Sequence, residues 1–525
     1  MAGWLAVLAS AVAAALVYLA AFECGRGLDL KSDGGPGSDG GHQGKQTKQY
    51  IFVFPGPTDP KMAWRQESPD EFRAESFRQA LKRLNVTDAA KNLASRAPVG
   101  LTFQWELLDC FLSPHSCTLG QVVEGVRNFL DSAVQTQTPV QVTLDPHQFF
   151  YESNLWNWWN GSLPGFDAAN VHNVEWTGFS PAFATKIAWR NWGSQFRMPT
   201  PQPNLASPEL QKAICGALQV VLAEMRRWYE AADDSGRALL VDVKLGEEVD
   251  VGANFYFYPG GNDYLDRDQA GDPKQGLDFS KGLDGGLLQL GYNMVQTLRN
   301  DSDKRPPTRR EVTRGVQDYF GALVEAADSA WPALKENRKL SLHAGLVGDP
   351  DLLHWDAPMV GGAKPSFTSY PALGAAVAEP GLVKALQKYD PSGSLRWNVG
   401  ESTCFDCRKH SEWMDYFDQV FGGPSGEPEY LRIYNLDGAV SAKGFLTALK
   451  HFSKRGAKPP KGGPETQAAQ AAQRLCTSRA CAHLVAGHSY ERETPPHIAA
   501  PPDLPVPSEH AAPPKLAIPA SPRTS

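Results

Sequence analysis

Between Tyr50 and Asn435 the chain repeats one pattern eight times: a short strand-like run, then a stretch with helical periodicity or a long loop. The runs are the YIFVF segment from Tyr50, Gly100–Glu106, Val140–Asp145, Leu239–Leu245, Leu340–Gly345, Ser366–Tyr370, Leu395–Glu401 and Tyr430–Asn435. In the second, Leu101, Phe103 and Trp105 alternate with Thr102, Gln104 and Glu106, which is the period of a strand. Helical spacing marks Pro69–Ala94, where Phe72, Phe77, Ala80, Leu81 and Leu84 recur every three to five residues. It also marks Thr118–Thr136, Pro208–Ala232, Lys281–Leu298, Arg309–Ala330, Lys409–Phe421 and Ala439–Phe452. Strands joined through helices run parallel, and eight such units predict the α/β class and a closed (β/α)8 barrel with long βα-loop insertions. A doubly wound open sheet is the alternative, but no glycine-rich phosphate loop follows the first strand.

In a barrel the outward face of each strand packs on helices, so its polar positions point into the lumen. That assigns Gln104, Glu106, Thr143, Asp145, Asp242, Lys244, Ser341, His343, Arg396, Asn398, Arg432 and Tyr434 to the interior. Asp242 and Lys244 are expected to neutralise each other there. Only groups at the carboxyl ends of strands can meet a substrate.

The flanks differ from this body. Residues 1–22 carry no charged side chain, and the 18 residues Leu5–Phe22 are almost wholly apolar, which fits a signal peptide or a membrane anchor. Residues 23–48 form a Gly/Ser-rich flexible linker, 49–455 the barrel, and 456–525 a C-terminal extension, mostly disordered and rich in Pro and Ala. A secretory route, secreted or anchored with the barrel on the lumenal or extracellular side, makes Asn85, Asn160 and Asn300 glycosylation sites. It also pairs Cys110 with Cys117, Cys404 with Cys407 and Cys476 with Cys481 as local disulfides. A net charge of −7 with dispersed Lys and Arg excludes a basic nucleic-acid footprint. No cofactor motif and no metal-ligand spacing stands out.

The chemistry concentrates where the fourth run ends, in Gly246-Glu247-Glu248, and where the seventh ends, in Gly400-Glu401-Ser402. Glycosidic cleavage needs a proton for the departing oxygen and a negative group facing the oxocarbenium ion, and two carboxyls about 5 Å apart give retention. In this strand order the chain resembles the clan A retaining glycoside hydrolases, whose barrels place an acid/base Glu after strand four and a nucleophile Glu after strand seven. The resemblance extends to the third strand, which runs into Asp145-Pro146-His147. It implies a carbohydrate partner, a β-linked glycan, Glu247 or Glu248 as acid/base and Glu401 as nucleophile. The clan's Asn before the acid/base is replaced by Gly246 or Glu247. Motif spacing selects Glu247, strand parity selects Glu248, and Glu401 needs a bulge to come into phase.

Arg432, Tyr434 and His147 are expected to tune the pair. Glu106, Asp145, Trp156, Trp158, Asn254 and Tyr256 complete a candidate sugar-binding surface. Two rival readings share these residues: a catalytically inactive glycan-binding barrel, and an inverting glycosidase with a wider carboxyl gap.

Overall fold

A computed structural model describes most of residues 48–456; residues 1–47, 55–67, 109–116, 147–154, 252–288, 346–352, 370–379, 423–427 and 457–525, with a few shorter gaps, lie outside the description. The expected N-terminal apolar segment, the linker and the C-terminal extension therefore fall outside it. So do His147, Asn160, Asn254, Tyr256, Asn300, Cys110, Cys476 and Cys481. Among the described residues no helix is long and apolar enough to cross a membrane.

Eight parallel strands close into a barrel. They are β1 (Tyr50–Val53), β2 (Val99–Glu106), β3 (Val140–Asp145), β4 (Leu240–Val249), β5 (Leu340–Ala344), β6 (Lys364–Thr368), β7 (Asn398–Ser402) and β8 (Tyr430–Ile433). Each strand pairs with its sequence neighbours, and β1 closes the ring against β8 through Tyr50↔Tyr430 to Val53↔Ile433. The fold is a (β/α)8 barrel, as the repeated strand–helix units require. The long insertion after β3 adds an antiparallel hairpin, Ala188–Asn191 with Gln195–Met198.

The surrounding helices include α1 (Ala74–Arg83), α2 (Leu119–Thr136), α3 (Pro208–Ala231), α4 (Tyr292–Arg299), α5 (Arg309–Ala330), α6 (His410–Gly422) and α7 (Phe445–Arg455), with Pro380–Tyr389 between β6 and β7. Three of their starts are written in the sequence. Thr118 with Gln121 and Thr308 with Glu311 form reciprocal capping boxes, and Ser207 caps α3 ahead of Pro208. The single helix expected over Pro69–Ala94 is instead three pieces, because Asn85 turns left-handed at φ 58° and Asp88 starts a new short helix over Ala89–Leu93.

The outward faces of the strands make the core. Phe103 and Trp105 of β2 pack edge-on against Phe72 and Phe129, with ring centroids 4.7 and 5.2 Å apart. All four rings are buried, and burial of each contributes about 2–3 kcal/mol. The lumen, by contrast, is polar: Thr102, Gln141, Thr143, Asp242, Lys244, Ser341, His343, Lys364, Asn398 and Arg432 are all buried.

Two levels of charge fill that lumen. At the amino end Asp242 meets Lys364 at 2.8 Å, with Ser341 and Tyr430 donating to the same carboxyl at 2.5 and 2.9 Å. Lys364 also reaches Glu429 at 2.5 Å. Asp242 and Lys244 thus do not neutralise each other. Same-face residues of one strand lie two residues, roughly 7 Å, apart along it, and each finds a nearer partner across the barrel.

Above the mouth, Glu175 of the insertion after β3 fastens that insertion to α4. Its carboxyl accepts from the backbone N–H groups of Gly291, Asn293 and Met294 at 3.0, 3.3 and 3.1 Å. Burial pushes Glu175 up to about 8 against the pull of those amides.

Candidate active site

β4 keeps the barrel register through Leu245↔Leu342, and the next pairing is Val249↔Ala344. Gly246, Glu247 and Glu248 therefore stand opposite His343 alone. Two of the three are left-handed, Gly246 at φ 80° and Glu248 at φ 46°. A Cβ on Gly246 would fall 2.6 Å from Val249 Cγ2, so only glycine fits the turn. Left-handed backbone costs Glu248 about 1–2 kcal/mol, strain of the sort that surrounding structure sustains at functional sites. Because the bulge interrupts alternation, parity cannot choose between the two glutamates. Both reach partners in the barrel.

A second bulge corrects β7. Val399 pairs with Phe367, but Thr368 pairs with Glu401; on the other side Leu431 pairs with Val399 and Ile433 with Ser402. The extra residue brings Glu401 into phase with the lumen. Gly400 is confined here, since its Cβ would lie 2.2 Å from Ser366 Oγ and 2.7 Å from His343 Cδ2.

Glu247 sinks lowest of the three. Lys244 Nζ reaches its Oε2 at 2.6 Å and Arg432 Nη1 its Oε1 at 2.5 Å, and all three side chains are shut off from solvent. Burial alone would raise its pKa, but Arg432, Lys244 and His343 outweigh burial and hold the carboxyl well below the usual range. Arg432 Nη1 also touches Glu401 Oε2 at 3.3 Å, and its Nη2 donates to Gln104 at 3.1 Å. The guanidinium stacks on Phe54 with 4.8 Å to the ring centroid.

Glu401 behaves oppositely. Burial and the charges of Glu248 and Glu247 raise its pKa well above the ordinary value, and Arg432 only partly offsets them. One mouth thus pushes two neighbouring carboxyls in opposite directions, the kind of separation that acid/base work requires. Tyr434, 38% exposed at the end of β8, has a hydroxyl raised by burial and then by the charges of Glu401 and Glu248.

Glu248 turns to the neighbouring strands. Thr368 Oγ1 donates to its Oε1 at 2.8 Å. His343 Nε2 lies 3.1 Å from the same hydroxyl, and His343 Nδ1 lies 2.9 Å from Lys244 Nζ. Burial lowers His343 to about 4 and Lys244 to about 8.

The other expected residues divide by place. Asp145 is buried and accepts from Gln104 at 3.1 Å, which links it to Arg432. Glu106 is half-buried at the end of β2. Trp156 is buried in the core, while Trp158 is half-buried with its indole N–H donating to Thr185 O at 3.2 Å. Arg396 lies outside the lumen, where it donates to Lys48 O and Pro428 O, because β7 begins at Asn398. Cys404 and Cys407 form the expected disulfide, and Cys117 is disulfide-bonded. Asn85 is exposed. Among the described residues no cluster of His, Cys, Asp and Glu is arranged to hold a metal.

Three residues of the site carry weak sequence signals. Alternation alone places Lys244 and His343 in the interior, and Thr368 lies within the Ser366–Tyr370 run with no motif of its own. Register against β4 was the signal that could have found them, because the bulge places His343 opposite the glutamates.

No family model matches the sequence, and no curated protein does. Solved structures similar to the chain include GH5_18 from Streptomyces cattleya in complex with GlcNAc, at 13% identity and a TM-score of 0.41 over 84% of this chain and 96% of that one. The catalytic domain of a β-amylase from Paenibacillus polymyxa matches at 10% identity and 0.39, over 79% of this chain and 100% of that one. An endo-1,4-β-mannanase from Eisenia fetida matches at 10% and 0.35, over 80% and 94%. At these identities and scores the likeness says nothing about activity.

Proposed function

We propose that the protein is a glycoside hydrolase acting on a β-linked glycan, with Glu248 and Glu401 as the working carboxyl pair. Glu247 serves as a fixed negative charge beneath them. The observation that carries the reading is the split among three clustered glutamates: Glu247 is tied down by Lys244 and Arg432, whereas burial and the charges of Glu248 and Glu247 push Glu401 upward. Hydrolysis needs that inequality, because one group must give a proton while its partner stays negative. Arg432 Nη1 touches both Glu247 and Glu401, which draws the ends of β4 and β7 together. Tyr434, 38% exposed, stands at the same mouth within reach of a sugar. The β-linkage rests on the strand-four and strand-seven resemblance.

The test is hydrolysis of a panel of aryl β-glycosides and β-linked oligosaccharides by the full chain and by Glu248→Gln and Glu401→Gln. Each substitution is expected to lower kcat by about 10²–10⁴-fold on the substrate that the wild type cleaves. Full activity in either variant would overturn the pairing. Saturable sugar binding with no hydrolysis across the panel would make the barrel a glycan-binding protein instead.

A further inference from the structure

Three of the four large apolar side chains most open to solvent among the described residues belong to loops that leave the carboxyl ends of strands. They are Phe166 and Phe183, each 47% exposed, in the insertion after β3, and Tyr434 after β8. Hydrogen bonds gather the two phenylalanines into one loop cluster. The N–H of Asp167, next to Phe166, donates to Asn157 O at 3.0 Å, and Trp158, next to Asn157, donates its indole N–H to Thr185 O at 3.2 Å, two residues beyond Phe183. Thr185 in turn donates through its N–H and its hydroxyl to Glu175 O at 3.0 and 3.1 Å, and Glu175 is the residue that fastens the insertion to α4. Each ring is also backed by a glycine. A Cβ on Gly178 would fall 2.9 Å from both Cγ and Cδ2 of Phe183 and 3.3 Å from its Cε2, and such close reach to three adjacent ring carbons places the glycine over the flat face of the ring. A Cβ on Gly161 would lie 3.7 and 3.8 Å from Phe166 Cδ1 and Cε1. The turn under Phe183 is pinned as well: Ser180 Oγ accepts from Ala182 N–H at 3.2 Å, and Phe183 O from Thr177 N–H at 3.0 Å.

We propose that Phe166 and Phe183 form a stacking platform for an uncharged glycan chain, apart from the carboxyl cluster, so that the substrate is an oligosaccharide or polysaccharide rather than a small glycoside. A ring held against backbone on one side and open on the other loses little freedom on binding, and it offers apolar area that only another apolar face covers well. A pyranose supplies that face: its axial C–H groups meet the negative face of the aromatic ring while its rim of hydroxyls stays hydrated. Charge around the rings is sparse. Between Leu155 and Thr185 the chain has no lysine or arginine, and its ionisable groups are Asp167 and His172, both exposed, and the buried Glu175. A bilayer surface fits less well, because an interfacial contact draws on basic residues beside its apolar ones and Phe166 is followed by Asp167. That the bound chain is also cleaved rests on the glycosidase reading above.

Affinity electrophoresis of the full chain through gels that contain hydroxyethyl cellulose, mixed-linkage β-glucan or glucomannan tests the platform. At least one polymer is expected to retard the wild type, with Phe166→Ala and Phe183→Ala each weakening that binding about 3–10-fold and Phe183→Trp keeping it. Both rings are exposed, so the substitutions leave the core packing in place. In turnover, the advantage in kcat/KM of a long β-linked oligosaccharide over the matching aryl glycoside should shrink by a similar factor in either Ala variant. No retardation of the wild type by any of the polymers, or equal retardation of the Ala variants, overturns the platform. Binding to phosphatidylcholine vesicles that is lost in the Ala variants also overturns it, and makes the rings a membrane contact. Retardation that depends on both rings in a protein that cleaves no glycoside leaves the platform standing and overturns the hydrolase reading instead.

Discussion

Arg432 and Glu247 meet at 2.5 Å with both side chains withdrawn from solvent, and each is the other's nearest opposite charge. Arg432→Met leaves the Glu247 carboxylate buried with a reduced set of cations. The expected loss of stability is about 1.5–3 kcal/mol, because a charge-assisted hydrogen bond is lost while Lys244 still pairs the carboxylate. Adding Glu247→Gln to that variant should recover a large part of it. Urea unfolding of the single and double variants measures both, and Arg432→Lys should fail to substitute, because one ammonium cannot span Glu247, Glu401 and Gln104.

Gly246→Ala should cost at least about 1–2 kcal/mol from the left-handed backbone, with further strain from the close approach to Val249. Gly400→Ala meets Ser366 and His343 instead. It should therefore abolish turnover through displacement of His343, even in preparations that circular dichroism shows to be folded.

Glu175 gives the insertion a pH dependence of known sign. Its folded pKa, near 8, lies above the usual 4.5, so the folded state keeps a proton that the unfolded state loses. The stabilisation is complete below about 4.5 and is lost as pH rises through 8, with a slope of at most about 1.4 kcal/mol per pH unit. Stability curves at several pH values should flatten over that window in Glu175→Gln. Amide exchange at Asn293 and Met294 should report the same change locally.

Thr308→Ala removes the cap of α5 and one donor to Glu311, a carboxylate held well below its usual range by Arg305, Thr308 and Arg299 despite partial burial. The expected cost is about 1 kcal/mol, visible as a lower urea midpoint with an unchanged slope.

The barrel itself was legible because eight runs with helices between them leave few other closed solutions, and Leu101, Phe103 and Trp105 showed which face of β2 turns outward. The lumenal positions Gln104, Asp242, Lys244, His343 and Arg432 followed from the same alternation. What alternation could not carry was any residue beyond a register shift. Gly246 and Gly400 each begin a bulge, and past them a period of two predicts the wrong face. The expected bulge at Glu401 is present, and the bulge at β4 made the choice between Glu247 and Glu248 a matter of partners rather than parity. Partnership across the barrel was equally hidden, since Asp242–Lys364 and Glu247–Arg432 are 122 and 185 residues apart in sequence and are joined only by closure.

The charged lumen also bears on how the barrel finds its own pairing. Asp242 has a cation on β6, Glu247 has one on β8, and Lys244 has an acceptor on β7. A one-residue slip of any of these strands would strand two ions in a buried centre, whereas an aliphatic lumen would tolerate the slip with a modest loss of packing. The interior thus acts as a checksum on strand alignment, and the loops at the mouth are left free to diverge without endangering the ring beneath them.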